Sequence, residues 1–198
     1  MTTATNTNSA SWRTADIVVG AVLAVAFGAV FQGWNLLWNA LLPAFVGLPP
    51  LQGLIYGVWL LPSVLVPLVI RRPGAALLGE GVAAIASALF GAPWGLLTVV
   101  YGLMQGGAAE LVFAMGLYRR WGLPTALLAG AAAGAAAALL DLILYYPTWS
   151  VGFQVLYAAL VIPSAAIVAG AGGWLLVRAL TRTGVLSAFP AGREQPEV

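Results

Sequence analysis

The chain has 198 residues, of which 62% are hydrophobic and 7% are charged, and its formal net charge is +2. Soluble domains carry about 25% charged residues, so this composition indicates an integral membrane protein and argues against a soluble fold. The sequence contains no histidine, cysteine or lysine, which excludes disulfides, thiolate metal sites, Schiff-base lysines and the lysine-dependent phosphate loop that binds ATP.

The positive charges divide the chain into pairs of apolar segments. Arginines stand at Arg13, Arg71–Arg72, Arg119–Arg120 and Arg178–Arg182, and each interval between them accommodates two segments of about 20 residues, the length that crosses a bilayer. A proline- or glycine-rich turn without positive charge splits each interval, within residues 39–50, 91–95 and 146–150. The sequence therefore predicts six transmembrane helices over residues 14–38, 51–70, 74–92, 94–118, 122–146 and 151–177.

All of these arginine groups fall on one side of the predicted helices. Cytoplasmic loops of membrane proteins are enriched in arginine and lysine. We therefore expect an all-α membrane domain over residues 14–182, arranged as three outward-opening hairpins in a bacterial-type plasma membrane, with both termini cytoplasmic. Residues 1–13 and 183–198 are expected to be cytoplasmic tails, with disorder in the first and from Ala191 onwards in the second.

Small residues recur at a spacing of four in the first predicted helix, at Gly20, Ala24 and Gly28. Such a stripe lets another helix approach closely, which is how membrane helices associate without a hydrophobic drive. The stripe therefore predicts either contact with a partner protein or close packing within the chain.

Three acidic residues lie inside the predicted helices: Glu80, Glu110 and Asp141. Acidic groups in a membrane are costly and usually face the bundle interior, so each is a candidate functional residue. Counting from the neighbouring arginines at about 1.5 Å per residue places Glu80 and Glu110 at nearly the same depth in adjacent helices. There they could share a proton or attract a cation, or serve a structural role. Asp141 is expected near the outer surface, either in a site or solvated.

Most aromatic residues fall in the outer half of the predicted helices or in outer loops. An aromatic belt alone would decorate both interfaces, so this excess predicts an outward-facing pocket for a flat ring, and aromatic faces also attract cations. No catalytic residue, metal ligand or cofactor is predicted. The candidate ligand-binding residues are Trp34, Tyr56, Trp59, Glu80, Tyr101, Gln105, Glu110, Asp141 and Tyr145.

Local motifs add a family resemblance. They are Tyr-Gly-Val-Trp at 56–59, Arg-Arg-Pro-Gly at 71–74 leading to Glu80, Gly-x-Pro-x-Gly at 91–95, Gln-Gly-Gly-Ala-Ala-Glu at 105–110, and Thr-Gly-Val-Leu at 183–186. The sequence thereby resembles the substrate-binding S components of energy-coupling factor transporters, in particular the YkoE family associated with thiamine and its hydroxymethylpyrimidine precursor. The resemblance implies six helices, a ligand site open to the outside, and a complex with a transmembrane coupling subunit and two cytoplasmic ATPases. It also implies that the small-residue stripe of the first helix faces the coupling subunit.

The leading interpretation is capture of thiamine or hydroxymethylpyrimidine for ATP-driven import. Glu80 and Glu110 would neutralise and orient the ligand, Gln105 would hydrogen-bond to it, and the aromatic candidates would enclose it. The alternatives are a self-sufficient proton-coupled carrier, with the two glutamates as its proton site, and a membrane scaffold without a small ligand. Neither an enzymatic activity nor a nucleic-acid partner is expected.

Overall fold

The computed structural model describes residues 12–193, and this part of the chain is helical without strands. The α-helices are α1 (Thr14–Leu41), α2 (Leu61–Ile70), α3 (Ala75–Leu89), α4 (Leu97–Met115), α5 (Leu123–Leu144), α6 (Val151–Ala165), α7 (Gly173–Arg182) and α8 (Pro190–Arg193). A 3₁₀-helical segment, Pro49–Leu60, runs directly into α2, and a π-helical segment, Ala166–Gly172, joins α6 to α7.

Within residues 12–193, five helical stretches are long and apolar enough to cross a membrane: Thr14–Phe45, Pro49–Ile70, Leu97–Met115, Leu123–Leu144 and Val151–Arg182. The remaining predicted span, residues 74–92, corresponds to α3, which is apolar but has only 15 residues, or about 22 Å of helix. The prediction of an all-helical membrane fold is confirmed. The outward-opening hairpins and the orientation of the termini stay predictions.

Helix α2 forms the centre of the bundle. Every residue from 62 to 70 is buried, and the helix packs against α1, α3, α4, α5, α7 and α8. A helix that is apolar on all sides is expected to be buried on all sides. The central position of α2 therefore follows from its uniformly apolar sequence.

The small-residue stripe of α1 packs inside the chain. Ala24 is fully buried. A Cβ atom added at Gly28 would lie 2.5 Å from the Cβ atom of Ala86, and one added at Gly20 would lie 2.7 Å from a methyl group of Ile70. The stripe therefore allows α1 to approach α2 and α3 closely, and the expectation that these three residues face a coupling subunit is wrong.

The arginines preceding α1, following α2 and preceding α5 gather at one end of the bundle. Asp16 is buried there, and its carboxylate accepts hydrogen bonds from Arg13 at 2.8 Å and Arg72 at 3.3 Å. The guanidinium carbon of Arg71 lies 5.8 Å from the centre of the Trp121 ring, beside Arg120. We call this the arginine end.

The chain beyond α7 folds back onto the bundle. Leu186, Phe189 and Ala191 are buried, and α8 contacts both α2 and α7. The interpretation of the chain from Ala191 onwards as a disordered tail is therefore wrong as far as Arg193. Residues 1–11 and 194–198 lie outside the described residues, so the tails expected there stay predictions.

Candidate ligand-binding site

A cavity lies at the end of the bundle opposite the arginine end. Its empty space amounts to about 720 Å³, including the part open to solvent. Aromatic side chains dominate its wall, together with two acids and a few neutral polar groups. The lining residues are Phe31, Asn35, Trp38, Tyr56, Trp59, Glu80, Ala84, Ser87, Trp94, Thr98, Tyr101, Gly102, Gln105, Asp141, Tyr145, Tyr146 and Tyr157.

Three tryptophans, Trp38, Trp59 and Trp94, form one part of the wall, which we call the tryptophan cluster. The Trp59 ring lies edge-on to the other two, with ring centres 4.8 Å from Trp38 and 5.7 Å from Trp94. Its indole nitrogen donates a hydrogen bond of 2.9 Å to the side-chain oxygen of Asn35 on α1. Buried indoles usually find such a partner, and this bond fixes the direction of the Trp59 ring.

The 3₁₀ segment aims Tyr56 and Trp59 at the cavity. Side chains three residues apart eclipse each other in a 3₁₀-helix, and these two rings are 5.2 Å apart. The Ser164 hydroxyl of α6 accepts from the Gly57 amide at 3.1 Å and donates to the Leu54 carbonyl at 2.8 Å. Ser164 therefore bridges two backbone groups that lie three residues apart in the segment and ties the segment to α6.

Four tyrosines, Tyr101, Tyr145, Tyr146 and Tyr157, form the other part of the wall around Asp141, and we call them the tyrosine cluster. The Tyr101 hydroxyl donates to one Asp141 oxygen at 2.7 Å and the Tyr157 hydroxyl to the other at 2.5 Å. The ring centres of Tyr101 and Tyr145 are 6.3 Å apart, and those of Tyr146 and Tyr157 are 5.3 Å apart. Asp141 is only 6% exposed, so it is enclosed by the cluster and is not solvated at the outer surface.

Tyr56 connects the two clusters. Its ring contacts Trp59 edge-on, and its hydroxyl accepts a 3.5 Å hydrogen bond from the side-chain amide of Gln105. The same hydroxyl is close enough to Asp141 to interact with it. Gln105 and Tyr56 therefore lie between the two clusters, where a ligand that reaches both clusters would contact them.

Glu80 lies in the cavity wall on α3 and is 1% exposed. One of its oxygens accepts a 2.9 Å hydrogen bond from the Ser63 amide, in the first turn of α2. The amides of a first helical turn have no acceptor within their own helix. Glu80 thus accepts a hydrogen bond from an amide in the first turn of α2 and also lines the cavity.

Glu110 does not reach the cavity. Its two oxygens accept hydrogen bonds from the Gly74 amide at 2.6 Å and the Ala76 amide at 2.9 Å, at the beginning of α3. A carboxylate is favoured there because the amides are free and the helix dipole is positive at its N-terminus. The side chain therefore caps a helix, and the expected pair of glutamates facing one ligand is absent from the cavity.

Trp34 is the other candidate residue outside the cavity. Its indole nitrogen donates to the Ile55 carbonyl at 3.1 Å, which joins α1 to the 3₁₀ segment. The face of α1 that does line the cavity carries Phe31, Asn35 and Trp38, at spacings of four and three. That spacing is the signal by which this face could have been chosen from the sequence.

The cavity also contains three residues from loops and α6 that were not among the candidates: Trp94, Tyr146 and Tyr157. Trp94 and Tyr146 were recognisable as outer aromatics, and Tyr157 lies one helical turn beyond Phe153 in a helix without other distinctive features. The remaining candidates do line the cavity: Tyr56, Trp59, Glu80, Tyr101, Gln105, Asp141 and Tyr145.

Comparisons with known proteins agree with this architecture. Residues 15–136 match the family described as "ABC-type cobalt transport system, permease component". Over 93% of its length the chain is 34% identical to "Putative HMP/thiamine permease protein YkoE" of Bacillus subtilis (strain 168), of which 92% is covered. A crystal structure of an S-component of an ECF transporter is similar with a TM-score of 0.88 and 34% identity, covering 93% of each chain.

The fold is therefore that of an S component, a membrane subunit for vitamin uptake. Within that class, the chain belongs to the YkoE family.

Proposed function

We propose that the protein captures thiamine or hydroxymethylpyrimidine from outside the cell for ATP-driven import. The observation that carries this proposal is the cavity, in which two aromatic clusters face two carboxylates and the amides of Asn35 and Gln105. Aromatic walls suit a flat aminopyrimidine ring, while amide and carboxylate groups suit its amino group and ring nitrogens. The relative's printed name, an HMP/thiamine permease, supports the same choice.

The charge distribution supports an orientation for capture from outside. The arginine end is expected to face the cytoplasm, which would open the cavity to the exterior. Since the sequence has no lysine for a phosphate-binding loop, ATP hydrolysis would fall to separate subunits. A transmembrane coupling subunit and two ATPases are the partners implied by the class of protein.

The side chains that line the cavity favour an organic ligand over a cobalt ion, although the matched family is described as a cobalt permease. The sequence has no histidine or cysteine, which are the usual soft and borderline ligands of such metals. Within residues 12–193, no three acidic side chains are grouped so that they could hold an ion.

The test is ligand binding by the purified protein. Tryptophan fluorescence and calorimetry should detect thiamine or hydroxymethylpyrimidine and should show no binding of biotin or riboflavin. Trp59→Phe, inside the cavity, should reduce affinity, whereas Trp121→Phe, at the arginine end, should leave affinity within about threefold of the wild type. Absence of binding by both pyrimidines would refute the proposal.

A further inference from the structure

Helix α7 ends at the arginine end of the bundle. The 3₁₀ segment is tied to α6 through Ser164, and α2, which continues the segment, contacts α7, which continues α6. These two stretches therefore run in the same direction. A Cβ atom added at Gly173, where α7 begins, would lie 3.8 Å from the nitrogen of Leu65 in the middle of α2. Arg178 and Arg182, on the last two turns of α7, thus lie level with the end of α2.

One face of α7 changes from apolar to basic towards that end. Leu175 and Leu176 are 59% and 43% exposed, in a stretch that is apolar enough to cross a membrane, so they face lipid. Arg178 and Arg182 are also exposed, and they follow Trp174 at spacings of four, which places the three side chains on one face. The guanidinium carbon of Arg178 lies 4.6 Å from the centre of the Trp174 ring. Tryptophan is typical of the headgroup level of a bilayer, so these arginines lie at headgroup depth.

The charges of these two arginines are not neutralised by an acid of residues 12–193. The acids in that range are Asp16, Glu80, Glu110 and Asp141. Asp16 pairs with arginines next to α1 and α2, and Glu110 caps α3. The other two line the cavity. The basic face of α7 is therefore open to an anion from outside the bundle.

The arginines between α4 and α5 are presented differently. Arg119 and Arg120 are adjacent and lie outside both helices. Trp121 beside them is stacked on Phe113, with ring centres 5.3 Å apart, and the guanidinium of Arg71 lies over its ring. This tryptophan belongs to the packing of the bundle, whereas the tryptophan of α7 pairs with an arginine of its own exposed face.

The exposed face of α7 matches an anionic phospholipid. Guanidinium groups bind phosphate through paired, charge-assisted hydrogen bonds, and arginines at a membrane surface attract anionic headgroups. The leucines one turn further into the membrane would contact the acyl chains of the same molecule, which a free phosphate lacks.

We propose that α7 binds an anionic phospholipid, with Arg178 and Arg182 on its headgroup phosphate and with Leu175 and Leu176 along its acyl chains. This contact would hold the end of α7, and α8 which packs against it, at the surface of the membrane. The residues of α7 lie outside the cavity wall, so the proposal does not depend on the ligand of the cavity.

The test compares two lipids with the same acyl chains. Native mass spectrometry of the purified full-length protein in detergent would measure the binding of dioleoylphosphatidylglycerol and of dioleoylphosphatidylcholine. Each arginine near an anionic headgroup contributes about fivefold to affinity, so the wild type should prefer phosphatidylglycerol by about 30-fold. The double variant Arg178→Gln/Arg182→Gln should lose most of this preference.

The matched control is Arg119→Gln/Arg120→Gln, which removes the same charge from the same end and should keep the preference within about threefold of the wild type. Equal loss in both double variants would mean that the whole arginine end attracts the lipid and would overturn the assignment to α7. Equal affinity of the wild type for the two lipids would overturn it without needing any variant to fold. Displacement of phosphatidylglycerol by millimolar sn-glycerol 3-phosphate would indicate a site for a soluble anion and would overturn the assignment to a lipid.

Discussion

Replacing Glu110 with glutamine should weaken the fold and leave ligand affinity unchanged. Both oxygens of Glu110 hold backbone amides at the beginning of α3, those of Gly74 and Ala76. Glutamine retains one acceptor oxygen but presents an NH₂ group to the second amide. The substitution therefore removes a charge-assisted hydrogen bond and the favourable interaction with the helix dipole, at a position that does not line the cavity.

The size of the effect follows from these contacts. Loss of a helix N-terminal capping interaction costs about 0.5–2 kcal/mol, and hydrogen bonds to charged groups contribute about 1.5–3 kcal/mol. Since Glu110 is partly exposed, water can replace part of the lost interaction. We therefore expect a decrease of about 1–2 kcal/mol in the free energy of unfolding, with thiamine affinity within about twofold of the wild type.

The assay pairs denaturant unfolding, followed by tryptophan fluorescence in detergent, with calorimetric titration of thiamine. Glu80→Gln is the matched variant, because Glu80 also accepts a backbone amide but lies in the cavity wall. It should lose stability and also change affinity. A Glu110→Gln protein with wild-type stability and a tenfold weaker thiamine affinity would refute the assignment of Glu110 to the helix cap.

Three further predictions follow from packing and charge. Ala24→Leu should destabilise the fold by about 1–3 kcal/mol because Ala24 is fully buried. Val22→Leu should not destabilise it, because Val22 is 63% exposed. Equal melting temperatures of the two variants would contradict internal packing of the stripe. Ser164→Ala removes the hydroxyl between α6 and the 3₁₀ segment and should lower both stability and ligand affinity in the same two assays, and wild-type values would show that the segment does not need this bridge. An impermeant thiol reagent applied to intact cells should label Thr148→Cys and not Ser187→Cys, and the opposite pattern would reverse the proposed orientation.

The approximate positions of the apolar helices could be predicted because a bilayer imposes a length. About 20 apolar residues are needed for each crossing, and arginines mark the ends on one side. The 3₁₀ geometry of Pro49–Leu60 could not be predicted in this way. Its contacts involve Ser164, more than a hundred residues further along the chain, and the close approach of Gly57 to the backbone of α6.

The direction of the candidate side chains could not be predicted from the sequence. Counting residues from an arginine estimates how far along a helix a side chain lies, but it does not say which way the side chain points. Glu110 and Trp34 point away from the cavity. Counting from Arg120 placed Asp141 near the outer surface, and its burial left no local signal because Tyr101 and Tyr157, which cover it, come from other helices.

The pitch of the 3₁₀ segment determines where the cavity wall stands. Its 12 residues rise about 2.0 Å each, or about 24 Å in total, whereas an α-helix of the same length would rise about 18 Å. Tyr56 is five residues from the beginning of α2, and each residue turns about 20° more in a 3₁₀-helix than in an α-helix. Rewinding the segment as an α-helix on a fixed α2 would therefore draw Tyr56 about 2.5 Å towards the arginine end and rotate it by about 100°. Tyr56 would then turn away from the cavity without any whole helix having moved.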